Sequence, residues 1–163
     1  MATKRYTLRH RRRREQKTNY KSRLALLKSR QVRVVVRKTN AHTSVQFVSY
    51  EPDGDVVLAS ANTAELAGLG WKAAGSNLPA AYLVGFIAGV RASKAGVTEA
   101  VADLGMQRPT RGGRLFAAVQ GVLDAEVVVP ISQEVLPTQE RVVGEHIDTK
   151  LASQIDAVKK KVQ

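Results

Sequence analysis

The sequence predicts an α/β (α+β) domain behind a basic N-terminal arm and helix, with a five-stranded mixed sheet in the order β-β-β-α-β-α-β and helices packed on it. Three alternating runs rich in β-branched residues fall between residues 32 and 61, the hydrophobic period then changes to that of helices, and turn residues punctuate each change. A chain of 163 residues, 44% of them hydrophobic, can bury the core of one domain, which excludes a wholly disordered protein.

Each element has its own signal. The first 17 residues carry little that is apolar beyond Tyr6 and Leu8, so residues 1–17 are expected to form a disordered basic arm. A short helix is predicted over residues 19–29. Thr18 or Asn19 can cap it, Tyr20, Leu24 and Leu27 form a narrow apolar stripe, and Lys21, Arg23, Lys28 and Arg30 take the other faces. The run Val32 to Arg37 then alternates, with Val32, Val34 and Val36 on one face and Arg33, Val35 and Arg37 on the other, which predicts a strand with a basic face. Thr39-Asn40-Ala41 turns into a second strand, His42 to Tyr50, and Pro52-Asp53-Gly54 turns into a third, Val56 to Ala61, completing an antiparallel meander. Asn62-Thr63 can cap a short helix over Ala64 to Gly68. Pro79 suits the first turn of a central helix, residues 79–95, which Gly96 closes. A fourth strand is predicted over Val97 to Leu104. Gly112-Gly113 opens a further helix with Leu115, Val119, Val122 and Leu123 inward, and Val127 to Val129, before Pro130, reads as the fifth strand. Residues 18–132 are thus expected to form one α/β domain. Residues 133–163 form an extension with one loose helix around Thr149 to Val162, and nothing in the pattern forces it into the core.

Charge is divided unevenly along this plan. The chain carries 26 Lys and Arg against 14 Asp and Glu, a net charge of +12; residues 1–38 alone hold 15 bases and one acid, Glu15, and the remainder is slightly acidic. An Arg block, a basic helix and a strand with Arg on one face are what a surface that tracks phosphates requires, because guanidinium forks bind phosphate oxygens in pairs and each neutralised phosphate releases a counterion. Tyr6, Tyr20 and Trp71 lie beside charge, where an aromatic face can stack on an unpaired base, although packing within its own helix is the plainer role for Tyr20. A merely solubilising tail is the alternative reading of the arm, and an organellar transit peptide fits less well because the arm has few Ser. No secretory signal is expected, since the cationic start is followed by no apolar stretch. The best membrane candidate, Leu78 to Val90, is too short and contains Pro79.

Chemistry has few footholds. No cysteine is present, so disulfides, thiolate zinc sites and cysteine nucleophiles are excluded, and a reducing compartment is consistent with that. A sheet of the predicted order resembles the layout of ribonuclease-H-like nucleases, which assemble carboxylates around two metal ions. Here the first strand has no acid, Asp53 and Asp55 belong to a turn, Asp103 ends a strand alone and Asp124 sits late on a helix, so no catalytic site, metal or cofactor is expected. His10, His42 and His146 are too far apart for a local metal motif. Gly68, Gly70 and Gly75 lack the Gly-Lys-Ser/Thr that would close a phosphate loop. Arg111-Gly112-Gly113-Arg114 is read as a turn and N-cap, with an anion nest as the alternative, and Gly85 and Gly89 are expected to let the central helix lie close on the sheet.

Several ordered motifs together carry a resemblance. Arg11-Arg12-Arg13-Arg14-Glu15, Lys17-Thr18-Asn19-Tyr20, Arg33 to Asn40, Leu58-Ala59-Ser60-Ala61, Pro79-Ala80-Ala81-Tyr82-Leu83 and Gly112 to Ser132 are similar to the 5S-rRNA-binding protein family of the large ribosomal subunit. That family is numbered eighteenth in the bacterial series and fifth in the eukaryotic one. The resemblance covers about residues 3–147 and is closest to the archaeal form. Two positions depart from the pattern: Asn19 stands where the family usually has Asp, and Ser132 where it has His. The resemblance implies a cytoplasmic ribosomal protein, not an enzyme, that attaches 5S rRNA to the large-subunit rRNA in the central protuberance beside neighbouring ribosomal proteins. Carried over by position, the implied RNA contacts in the arm and helix are Arg5, Tyr6, Arg9, Arg11, Arg12, Arg13, Arg14, Lys17, Thr18, Tyr20, Lys21 and Arg23. On the sheet and loops they are Arg33, Arg37, Lys38, Asn40, Trp71 and Lys72. A DNA-coating protein is the competing reading, and a metal-dependent nuclease a weaker third.

Overall fold

The structure is a computed structural model that describes residues 7–148 and 151–162. Alternation builds its sheet as expected: β1 (Val32–Lys38), β2 (Thr43–Ser49) and β3 (Val56–Asn62) form the antiparallel meander, in which Val34 faces Phe47 and Val36 faces Val45. The register slips by one residue between Phe47 and Val48, so that β3 carries an extra residue at Leu58. The chain returns through α3 (Leu78–Lys94) to lay β4 (Ala100–Asp103) parallel to β1, and the sheet order is β3-β2-β1-β4.

The sheet has four strands, where the sequence predicts five. Val127 to Val129 makes a single parallel bridge, Glu99 to Val128, in which Val128 N–H donates to the Thr98 carbonyl at 2.9 Å and Ala100 N–H to the Val128 carbonyl at 3.0 Å. The next rung would need a donor at residue 130. Pro130 has no N–H, so the ladder stops after one residue and a fifth strand never forms. The likeness to a ribonuclease-H layout finds no confirmation in this smaller sheet.

One face of the sheet meets the helices. Val34, Val36, Val45, Phe47, Ala59 and Ala61 pack beneath α3 and α4 (Arg114–Asp124). The α3 helix is buried on all sides from Leu78 to Gly89, which suits a helix enclosed by sheet, α4 and the C-terminal helix. Asn77 caps it, its side-chain oxygen accepting from Ala80 N–H at 2.8 Å, and Pro79 occupies the first turn. Asn77→Ala should cost about 1 kcal/mol, measurable as a lower midpoint of urea unfolding with an unchanged slope.

The paired glycines do something other than the sequence suggests. A side chain at Gly85 would collide with the Ala118 carbonyl oxygen, and one at Gly89 would lie 2.6 Å from the Ala125 methyl. The close neighbour of α3 is therefore α4, not the sheet.

The C-terminal extension also differs from expectation. After α5 (Gln139–Val143), α6 (Leu151–Val162) presents Leu151, Ile155 and Val158 at helical spacing, and all three are buried against the core. Lys159 lies over the Tyr82 ring at 4.7 Å and the Phe86 ring at 5.3 Å, and Lys161 donates to the Leu69 carbonyl at 2.9 Å. The stripe continues to Val162, partly buried against the same core, and it is the apolar surface of α3 that makes the helix dock. Thr149, the predicted start of this helix, lies outside the described residues.

Candidate nucleic-acid interface

The other face of the sheet carries the outward-pointing residues of β1 and β2: Arg33, Val35 and Arg37 stand beside Val48, Gln46 and Ser44 in turn. Over it lies α2 (Tyr20–Leu27), capped by Asn19, whose side-chain oxygen accepts from Lys21 N–H at 3.1 Å and Ser22 N–H at 3.2 Å. Asn is thus as competent a cap here as the family's Asp. The predicted stripe is not buried, although Leu27 is partly covered. No residue of α2 is buried and Leu24 is 59% exposed, and a cavity of about 970 Å³ separates the helix from the sheet.

The arm approaches this helix. A single helical turn, α1 (Arg11–Arg14), exposes all four arginines. Glu15 is taken up by Arg11 at 2.7 Å and Lys17 at 2.9 Å, which hold its carboxyl below the usual range. Arg12 donates to the Thr18 hydroxyl at 2.8 Å, and the His10 and Tyr20 rings meet at 5.4 Å. A concavity of about 550 Å³ gathers Arg9, Arg13, Arg14 and Lys21 around Tyr20, with no carboxylate among its lining residues. Four cations, an aromatic ring and no competing anion form a place for phosphates and a stacked base. Arg5 and Tyr6 lie outside the described residues.

The sheet contacts implied by the resemblance divide. Arg33 is not available to RNA: it is 2% exposed, and its guanidinium donates to Asp55 at 2.7 Å and to Asp103 at 3.0 Å. A buried guanidinium requires counter-charges, and these two carboxylates supply them. Arg37 is half-exposed but committed to Asp103, through the carboxylate at 3.0 Å and the backbone carbonyl at 2.6 Å. Arg23 is drawn to Asp55 at 2.9 Å. Trp71 is also withdrawn, 6% exposed in the core with its indole N–H donating to the Ala74 carbonyl at 3.5 Å, so it cannot stack on a base. Lys72 and Asn40 are exposed, and Lys38 is half-buried.

Asp55 and Asp103, far apart in sequence, therefore converge, but on an arginine. Burial works against the charge of Asp55, yet the Arg23 and Arg33 guanidiniums outweigh it and hold the carboxyl below its ordinary value. A signal for this was present in the sequence: an arginine inside a run of valines needs an acid partner once buried. The partner's identity was not, because the register of β1 with β4 sets it. Among the described residues no three acidic or histidine side chains gather to hold a metal ion, and Asp124 accepts from the Tyr82 hydroxyl at 2.5 Å instead. Burial and that bond push the Tyr82 phenol far above its usual range. Arg111 donates to the Glu134 carbonyl and Arg114 to the Ser76 carbonyl, while Gly112 and Gly113 N–H are taken by Val135 and Thr110. That loop is a turn and helix start, with both glycine N–H groups taken up by backbone carbonyls.

A family model described as ribosomal large subunit proteins 60S L5 and 50S L18 matches residues 4–97, more than half of the chain. The chain belongs to this family. It is similar to the large ribosomal subunit protein uL18 of Korarchaeum cryptofilum, 56% identical over 143 residues that cover 88% of this chain and 73% of the relative. The uL18 of Haloarcula marismortui is 48% identical over 143 residues, 88% of this chain and 76% of the relative. Membership makes the chain a ribosomal protein of the large subunit, a structural and not a catalytic component, placed with the ribosome in the cytoplasm. No helix among the described residues is long and apolar enough to cross a membrane.

Proposed function

We propose that this large-subunit protein binds 5S rRNA and attaches it to the large-subunit rRNA in the central protuberance, where it also meets neighbouring ribosomal proteins. The observation that carries this reading is the acid-free concavity of Arg9, Arg13, Arg14 and Lys21 around Tyr20. Arg11 and Arg12 extend it along α1, and Lys17 and Thr18 lead into α2. Residues 1–17 act as an arm that engages phosphates, and residues 18–132 as the domain that aims it, with α5 and α6 of the extension, residues 133–163, contributing to its core. Lys38, Asn40 and Lys72, half-buried or exposed, make outlying contacts. The function needs no cofactor and no small-molecule substrate.

A folded RNA offers splayed bases and 2′-hydroxyls beside its phosphates, whereas duplex DNA offers this surface phosphates alone. RNA recovered with the tagged protein should accordingly be enriched in 5S rRNA, and purified 5S rRNA should outcompete duplex DNA at equal salt. Equal displacement by duplex DNA would refute the reading in favour of a DNA-coating protein.

A further inference from the structure

A line of alternating charge crosses the open face of the sheet. Arg23 on α2 meets Asp55, just before β3; Asp55 meets Arg33 on β1; Arg33 meets Asp103 at the end of β4; and Asp103 meets Arg37, with every link between 2.7 and 3.0 Å. Its inner members are fixed. Arg33 is enclosed, and Asp103 additionally accepts from Gly105 N–H at 2.9 Å. Its outer end holds an element that little else holds. The helix buries no residue and stands off the sheet across the cavity. Among the described residues, Arg23 to Asp55 is the side-chain hydrogen bond that joins α2 to the sheet.

We propose that Asp55 is a positioning residue for RNA binding, which anchors α2 through Arg23 so that Tyr20 and Lys21 stand at the concavity they share with Arg9, Arg13 and Arg14. The proposal rests on the RNA-binding reading above. In it, an acid within a basic face raises affinity by fixing the geometry of its neighbours, although its charge repels phosphate. Arg23 then serves the interface through Asp55 and not as a free phosphate contact. A preorganised helix pays no ordering cost when RNA arrives, and an unanchored one does.

The two effects of the Asp55 charge have opposite signs, so the test separates them. In the full-length, RNA-free protein, Asp55→Asn should speed hydrogen exchange of the α2 amides while leaving those of α3 protected. At fixed salt its affinity for 5S rRNA should fall by about tenfold, the size of losing one or two ordinary contacts, with the salt slope unchanged because no phosphate contact has been removed. Arg23→Gln leaves Arg33 with both carboxylates and should speed α2 exchange in the same way, which keeps the test open if Asp55→Asn does not fold. Tighter or unchanged RNA binding by Asp55→Asn would overturn the proposal, as would unchanged α2 exchange in either variant. Failure of the wild-type protein to bind 5S rRNA would instead refute the functional reading, while the exchange measurements would still decide whether Asp55 anchors the helix.

Discussion

Binding of 5S rRNA should weaken by roughly 10³ to 10⁵ between 50 and 200 mM salt if 6 to 10 phosphates are engaged, and a chain lacking residues 1–17 should lose most of both the affinity and the slope. Residues 1–17 contain eight Lys and Arg and one acid, and those from Thr7 to Lys17 are all exposed. Each phosphate they neutralise releases a counterion, and the entropy of that release shrinks as bulk salt rises. The chain beyond residue 38 is slightly acidic and offers RNA little long-range attraction by itself. Among the described residues of the arm, Thr7 to Lys17, none is buried, so circular dichroism and the melting transition should be nearly unchanged when it is removed. A flat salt titration of the full-length protein would show that the arm is not the electrostatic footprint. Unfolding of the truncated chain would show that arm and body are not separable.

Gly121→Ala should destabilise the protein by about 3 kcal/mol or more, the upper end of the cost of overpacking. On an exposed helix the same change gains about 1 kcal/mol, so the sign itself is the test. A methyl group at Gly121 would strike the Tyr82 carbonyl oxygen and lie 2.7 Å from Phe86 N, and Gly85 faces Ala118 in the same way. These neighbours are backbone atoms of a helix buried on all sides, and they cannot swing aside as a side chain would. Only separation of α3 from α4 relieves the clash, and that opens the packing both helices make against the sheet. Chemical denaturation at neutral pH reads the effect directly. A stability equal to or above that of the wild type would mean the helices are not packed backbone to backbone.

Much of this was legible in the residues because it depends on neighbours in the chain. Alternation in Val32 to Arg37 and around Val45 and Phe47 placed the meander, Pro79 marked the start of the central helix, and the cap of the basic helix was narrowed to Thr18 or Asn19, of which the structure uses Asn19. The ordered motifs from Arg11 through Ser132, taken together, were enough to suggest the family to which the chain belongs. What failed depended on contacts across the chain. Val127 to Val129 has the composition of a strand, but its ladder ends at a proline one rung after it starts. Leu24 repeats at helical spacing with Tyr20 and Leu27 yet stays in solvent, because periodicity specifies a face and not a partner. The glycines of α3 were read as a close approach to the sheet, whereas what they approach is α4 and its C-terminal end.

The sequence by itself determined that a basic, nearly acid-free arm precedes a slightly acidic α/β body, since net charge and period are sums over local residues. Only the tertiary structure decided which of the basic residues remain free for phosphate. Arg33 and Arg37 read in the sequence as a basic face, and in the fold they are enclosed or committed by Asp55 and Asp103, brought from 22 and 70 residues away from Arg33. The physical reason is the cost of burying charge: a guanidinium that leaves water must find its counter-ion inside the protein, and where that acid lies is set by strand register, which no local pattern encodes.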